Sequence, residues 1–187
     1  MSFPNDLLEQ ARHLANRELK RPKQASLRRA VSTAYYALFH LLSIETAKNW
    51  NRPAQRFAFA RMLGHGQMFK ACEATGSELN KHFNGRPAPG GNLDVLKHLQ
   101  LIAKTFAEMQ EHRHNADYNG EIGWSRTDVL EKIKSVETAL RSWNEIRDEP
   151  EAQNFLLRLL AGTKVVPRLW AESTRSGAAS NNLGSSS

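Results

Sequence analysis

Residues 27–40 read Leu27-Arg28-Arg29-Ala30-Val31-Ser32-Thr33-Ala34-Tyr35-Tyr36-Ala37-Leu38-Phe39-His40. They lie in the clearest helical segment of the chain, predicted from about Gln24 to Trp50 and ended by Asn51-Arg52-Pro53. With Arg29 at zero and an advance of about 100° per residue, Val31, Ala34, Tyr35, Leu38, Leu41 and Leu42 gather on one side as a wide core face. Arg29, Ser32, Tyr36 and His40 fall within about 80° of one another on the opposite side. A surface helix ordinarily carries Lys and Glu there. This one offers a guanidinium, a hydroxyl, a phenol and an imidazole, all partners for phosphate, ribose or base groups. Packing of Tyr36 and His40 against a neighbouring helix, with Arg29 and Ser32 finishing a helix end, accounts for the same pattern. Ser32 and His40 lie about 12 Å apart along the helix axis, too far for a nucleophile–base pair within one chain.

Upstream, a first helix is predicted from about Asn5 to Leu19, capped by Asn5, with Leu7, Leu8, Ala11, Leu14 and Ala15 on one side; Pro22 then breaks the chain. Downstream, residues 54–75 read as a helical stretch interrupted by Gly64-His65-Gly66. Thr75–Asn92 reads as the least ordered interior region, because Asn84-Gly85-Arg86-Pro87-Ala88-Pro89-Gly90-Gly91 cannot sustain a helix or a central strand. Asn92 caps a long helix whose Leu99, Ile102, Phe106 and Met109 form one buried stripe. Asn119-Gly120 and Gly123 mark a turn. Ser125-Arg126-Thr127-Asp128 resembles a capping box and opens a further helix, with Val129, Ile133, Val136, Leu140 and Trp143 along one face. A last amphipathic segment, about Glu149–Ala161, carries Phe155, Leu156, Leu159 and Leu160 and stops at Gly162; from Ser176 the Ser, Gly, Ala and Asn composition reads as a disordered tail. There is no internal repeat and no strand alternation. The expectation is an all-α, up-and-down helical bundle over 1–147, an amphipathic C-terminal extension over 148–175 and a tail over 176–187.

The 187 residues, 40% of them hydrophobic, suffice for one domain with a core. No apolar run approaches the roughly 18–20 residues of a membrane span, so no membrane role is expected. The first residues lack a secretory pattern, and Cys72 is the only cysteine, so the expected compartment is the reducing cytoplasm. The net charge of +7 is uneven: residues 1–70 hold twelve Lys/Arg against four Asp/Glu, with Lys20, Arg21, Lys23, Arg28 and Arg29 bunched together. Such a patch concentrates anions such as phosphates, although a solvated helix end looks the same. His112 and His114 face different directions, His65 and Cys72 have no second pair to complete four ligands, and the glycine-rich loop lacks the Gly-Lys-Ser/Thr ending of a P-loop. No metal and no cofactor is expected. Trp50, Trp124, Trp143 and Trp170 are scattered, as core or interface residues are.

The segment from Leu27 to His40 is similar to the "R…S-x-A-Y-Y-A-x-F-H" helix of HEPN-domain proteins, particularly a branch of small bacterial members. A second segment, Arg113-His114-Asn115-Ala116-Asp117-Tyr118, resembles the "R-x-x-A-D-Y" end of a later helix in that branch. The order and spacing of the two fit, and the resemblance covers roughly residues 5–147. It implies a bundle of four to five main helices, here with an extra C-terminal helix. It also implies a homodimer with both segments near a shared cleft. Many relatives act beside a minimal nucleotidyltransferase in toxin–antitoxin or defence modules, and others are metal-independent RNases with an R-x(4–6)-H motif. This chain departs from the RNase pattern: aligned on Tyr118, Ala116 stands where the histidine belongs and Glu111 where the arginine would lie.

The expected function is therefore a HEPN-type nucleotide- or RNA-associated binding module without the usual RNase histidine. The expected ligand-binding residues are Arg29, Ser32, Tyr36, His40, Arg113, Asp117 and Tyr118. Arg113 continues the stripe of Phe106 and Met109 and so points inward, where a guanidinium needs an anion. Asp117, one turn on, makes either a structural ion pair or a support that orients Arg113 toward phosphate. The alternatives are a protein-interaction scaffold, or a metal-independent RNase toxin with a shifted catalytic set drawn from His40, His65 and Arg113.

Overall fold

The second predicted helix is the centre of the molecule. In a computed structural model that describes residues 2–49, 51–85, 91–161 and 169, the chain forms α1 (Phe3–Asn16), α2 (Gln24–Lys48), a 3₁₀ turn (Pro53–Gln55), α3 (Arg56–Ala60), α4 (His65–Gly85), α5 (Leu93–Tyr118), α6 (Arg126–Ile146) and α7 (Pro150–Ala161). There is no strand among the described residues, and the molecule is an all-α helical bundle. Neighbouring helices run up and down. Ser26 meets Glu18 and His40 meets Phe3, so α1 and α2 are antiparallel. Arg12 pairs with Glu137 across α1 and α6, and His98 lies 3.3 Å from Glu145 across α5 and α6.

α2 is enclosed by α1, α5, α6 and α7. It therefore has no solvent face over most of its length, and Ser32 and Thr33 are buried along with Val31, Ala34, Tyr35 and Leu38. This corrects the two-faced reading of the helix: amphipathic reasoning presumes water on one side. Here α5 covers Ser32 and Tyr36, Phe3 of α1 packs on His40, and of the four polar positions only Arg29 stays exposed. Around it the expected stripes hold. Leu99, Ile102, Phe106 and Met109 of α5 are buried, as are Val129, Ile133, Val136, Leu140 and Trp143 of α6.

The helix ends repay comparison with the sequence. Asn92 accepts from the Asp94 N–H at 3.1 Å, and the Ser125 hydroxyl accepts from the Asp128 N–H at 3.1 Å, so both predicted caps form. Gly91, at φ 102°, supplies the left-handed turn that leads into Asn92. Asn5 does not cap α1. The helix starts two residues earlier, with Pro4 in its first turn and Ser2 ahead of it, because proline is pre-set for that position. α1 also ends at Asn16, leaving Leu19 90% exposed.

The expected loop at Thr75–Asn92 is a further correction. α4 runs on to Gly85, held by buried Ala71, Cys72, Thr75 and Leu79, and by Arg158 reaching Glu78 at 2.5 Å. Burial here outweighs the poor propensity of Gly76. Residues 86–90 lie outside the described residues, as do Trp50, Trp170, the stop at Gly162 and the tail from Ser176. α7 is part of the same core, to which it contributes Ala152, Phe155, Leu156 and Leu159, while Leu160 stays 39% exposed. No helix among the described residues is long and apolar enough to cross a membrane.

Candidate functional site: a polar seam between α2 and α5

α2 and α5 are antiparallel neighbours, so the two signature segments, some 80 residues apart in sequence, lie side by side. The Ser32 hydroxyl donates to Asp117 Oδ1 at 2.6 Å. Arg113 Nη2 donates to the Tyr36 hydroxyl at 3.4 Å, and the guanidinium carbon lies 5.9 Å from the Tyr36 ring and 5.6 Å from the Tyr118 ring. Arg113 Nε is 2.8 Å from Asp117 Oδ2, with the two side chains 21% and 26% accessible. That N–H is nevertheless buried without an acceptor in line. The contact is thus a charge attraction rather than a well-formed hydrogen bond. Nη1 of Arg113 has no protein partner among the described residues. Burial opposes the charge on Arg113, but Tyr36, Asp117 and Tyr118 more than offset it, so its pKa lies above the ordinary arginine value.

The seam continues into residues read as core. Tyr35 is buried, yet its hydroxyl sits 2.7 Å from His65 Nδ1 and 3.4 Å from Gln110 Oε1. His65, at the start of α4, stacks on Phe39 with ring centres 4.1 Å apart and meets Tyr36 edge-on at 5.8 Å. If the Tyr35 hydroxyl donates to Nδ1, the neutral ring carries its proton on Nε2. If it donates to Gln110, His65 Nδ1–H donates to the phenol and Nε2 is a bare base. Either way Nε2 has no protein partner among the described residues and is not one of the fully buried unpaired atoms, so it is at least partly open to solvent. The His65 pKa lies below 6.5, chiefly because burial disfavours the imidazolium, with Arg113 and then His40 adding repulsion. Burial also pushes the Tyr35 phenol far above its usual 10.

Ser32, Tyr36, Arg113, Asp117 and Tyr118 are therefore brought together, and His65 joins them from a third helix. Ser32 is not open to a ligand, because its hydroxyl is spent on Asp117. His40 is half-buried against Phe3, ring centres 5.0 Å apart, with its pKa lowered by burial. Arg29, one turn before Ser32, is exposed and has no side-chain partner among the described residues. Tyr35 and Gln110 were missed by sequence reasoning. A phenol on an apolar face must find a partner when buried, and that was the available signal.

The basic cluster divides into two kinds of residue. Arg28 is structural: Nη1 donates to the carbonyls of Ala116 (3.0 Å) and Asn119 (2.8 Å), and Nη2 to Gly120 (3.2 Å) and Ile122 (2.7 Å). It closes the end of α5 and so holds Asp117 and Tyr118 in place. Lys20, Arg21 and Lys23 are exposed. Arg61 leans over Phe57 at 6.0 Å rather than toward His65. Among the described residues no group of three His, Cys, Asp or Glu is placed to hold a metal ion. A groove of about 890 Å³ between α4 and α5 is lined by Cys72, Ser77, Lys104 and Glu108 among others, but by none of the seam's residues. The groove carries charged and polar side chains of its own, Glu73, Lys97 and Glu111 among them, but neither signature segment lines it except through Glu111, which precedes the second. Compared with known proteins, the chain matches no family model, no curated protein and no solved structure.

Proposed function

We propose that this chain is a phosphate-recognising binding module for a nucleotide or RNA, of the HEPN type that its two motifs resemble. Arg113 is its anion anchor, Arg29 a second cation, and Tyr36, Tyr118 and His65 the flanking contacts. One observation carries the reading: the two motifs meet in a seam where, among the described residues, neither Arg113 Nη1 nor His65 Nε2 has a protein partner, and both rings of the seam's first motif, Tyr35 and Tyr36, touch His65. Asp117 both neutralises part of the Arg113 charge and orients it, which is the arrangement of a preorganised anion site. The module works as a homodimer or beside a nucleotidyltransferase partner in a toxin–antitoxin or defence system, in the cytoplasm. Fold alone does not imply this; the side chains of the seam are the argument.

The test is binding of a labelled RNA at low and moderate salt, with Arg29→Ala and Arg113→Ala compared to wild type. Affinity is expected to fall as salt rises and to fall in both variants. Binding that ignores salt, or that survives both replacements in a folded protein, refutes the proposal.

The position of His65 favours a second reading, a metal-independent RNase with a shifted set of Arg113 and His65. In the tautomer with the proton on Nδ1, the bare Nε2 can take the ribose 2′-hydroxyl proton as that oxygen bonds to phosphorus and can return it to the 5′-oxygen as the P–O bond breaks, while Arg113 holds the phosphate. Cleavage that persists in a chelator and disappears in His65→Ala supports it. RNA left intact by the purified protein rules it out.

A further inference from the structure

Between Glu45 and Glu73 the sequence has no acidic residue and five cations, Lys48, Arg52, Arg56, Arg61 and Lys70. The middle of this stretch is α3 and its flanks, packed against α2 and pinned by Leu63, which is buried. Its outer side exposes Phe57 and Met62, 77% and 78% accessible. The Arg61 guanidinium lies over the Phe57 ring at 6.0 Å, and neither Arg52 nor Arg61 has an ion-pair partner among the described residues. From Met62 the chain reaches His65 in three residues, at most about 11 Å.

An exposed ring among unneutralised arginines suits a single strand, whose phosphates meet the cations while a base lies on the ring. A duplex hides its base faces in the stack and leaves Phe57 nothing to take. A lipid surface needs a broad apolar face. α3 has five residues, and with its flank it shows two large apolar side chains.

We infer that residues 52–62 form a stacking platform for single-stranded RNA that leads the strand to the His65–Arg113 seam. The inference rests on the phosphate-binding reading of that seam and deepens it, because the ligand becomes an unpaired strand rather than a duplex.

Fluorescence anisotropy on the full chain tests this, with a labelled oligouridine of about a dozen nucleotides, enough to cover one stacking surface and a neighbouring site. Phe57→Ala is expected to weaken binding about 5- to 100-fold while leaving uridine monophosphate binding and the thermal midpoint unchanged. Arg113→Gln is expected to weaken both ligands; its thermal midpoint is checked, and Arg29→Ala, at the exposed second cation of the proposed phosphate site one turn before Ser32, serves with it as the second variant of that site. Wild-type affinity in Phe57→Ala, with loss in the seam variants, overturns the platform and leaves the seam. Loss in Phe57→Ala with no effect of either seam variant keeps the platform and removes the seam as a ligand site. Equal affinity for a duplex, or capture by phosphatidylserine vesicles without strand binding, overturns the platform.

Discussion

His65 is held by Tyr35 at one nitrogen and by the ring of Phe39 on one face, and the burial that orders it also keeps it neutral. His40 and His112 shift the same way, with burial the first cause in each. A histidine whose folded pKa lies below its ordinary 6.5 is protonated more readily in the unfolded chain. Between 6.5 and the folded value the unfolded state binds more protons, so stability is complete above 6.5 and falls as pH drops through that window. The urea midpoint is expected to be lower at about pH 5 than at about pH 7.5, and His65→Gln should flatten part of the slope. A midpoint constant over that range would contradict it. At this scale the residue types were legible in the sequence, but their pairings were not. The Arg113–Asp117 pair was readable because i and i+4 on one helix must be neighbours. The Tyr35–His65 contact was not, because nothing in the local spacing brings residues thirty apart together.

The elements differ in how their ends are closed. Asn92 and Ser125 close α5 and α6 from within two or three residues, and such local chemistry is written in the sequence. The end of α5 is closed by Arg28 and the end of α1 by Arg126, whose Nε and Nη1 donate to the carbonyls of Ala15 and Leu19 at 3.2 Å each. Both arginines come from roughly ninety or more residues away and so were invisible to periodicity. Arg28→Ala is expected to cost about 2–3 kcal/mol, since it strands several carbonyls at once. Ser125→Ala is expected to cost about 1 kcal/mol. Chemical denaturation of the two variants checks the order, and an Arg28→Ala cost at or below that of Ser125→Ala would show that water replaces the guanidinium. The extended α4 teaches the same lesson from the other side. Its glycine and asparagine content argued for a loop, and packing against α5 and α7 overrode it.

For the whole molecule the question is whether α7 is an appendage. Ala152, Phe155, Leu156 and Leu159 are buried in the core that α2, α4 and α5 share. Glu151 also accepts from the Asn92 N–H at 3.1 Å, tying α7 to the start of α5. Removal of residues 148–187 is expected to cost at least about 5 kcal/mol, from the lost burial of three large side chains at roughly 1.5–3 kcal/mol each. Against a total stability of about 5–15 kcal/mol that leaves a marginal chain, and calorimetry should find a broad transition or none. A truncated chain melting sharply near the full-length midpoint would show that α7 is dispensable. The all-helical class, the helices α1, α2, α5, α6 and α7, the buried stripes of α5 and α6 and the two side-chain caps were determined by the sequence alone, because each depends on residues a few positions apart. Only the tertiary structure decided that α2 is enclosed, that α4 runs on past its glycines and that His65 joins Arg113. Those outcomes depend on which helices become neighbours, and the energy of burial that selects the neighbours is collected across the whole core rather than along any one segment.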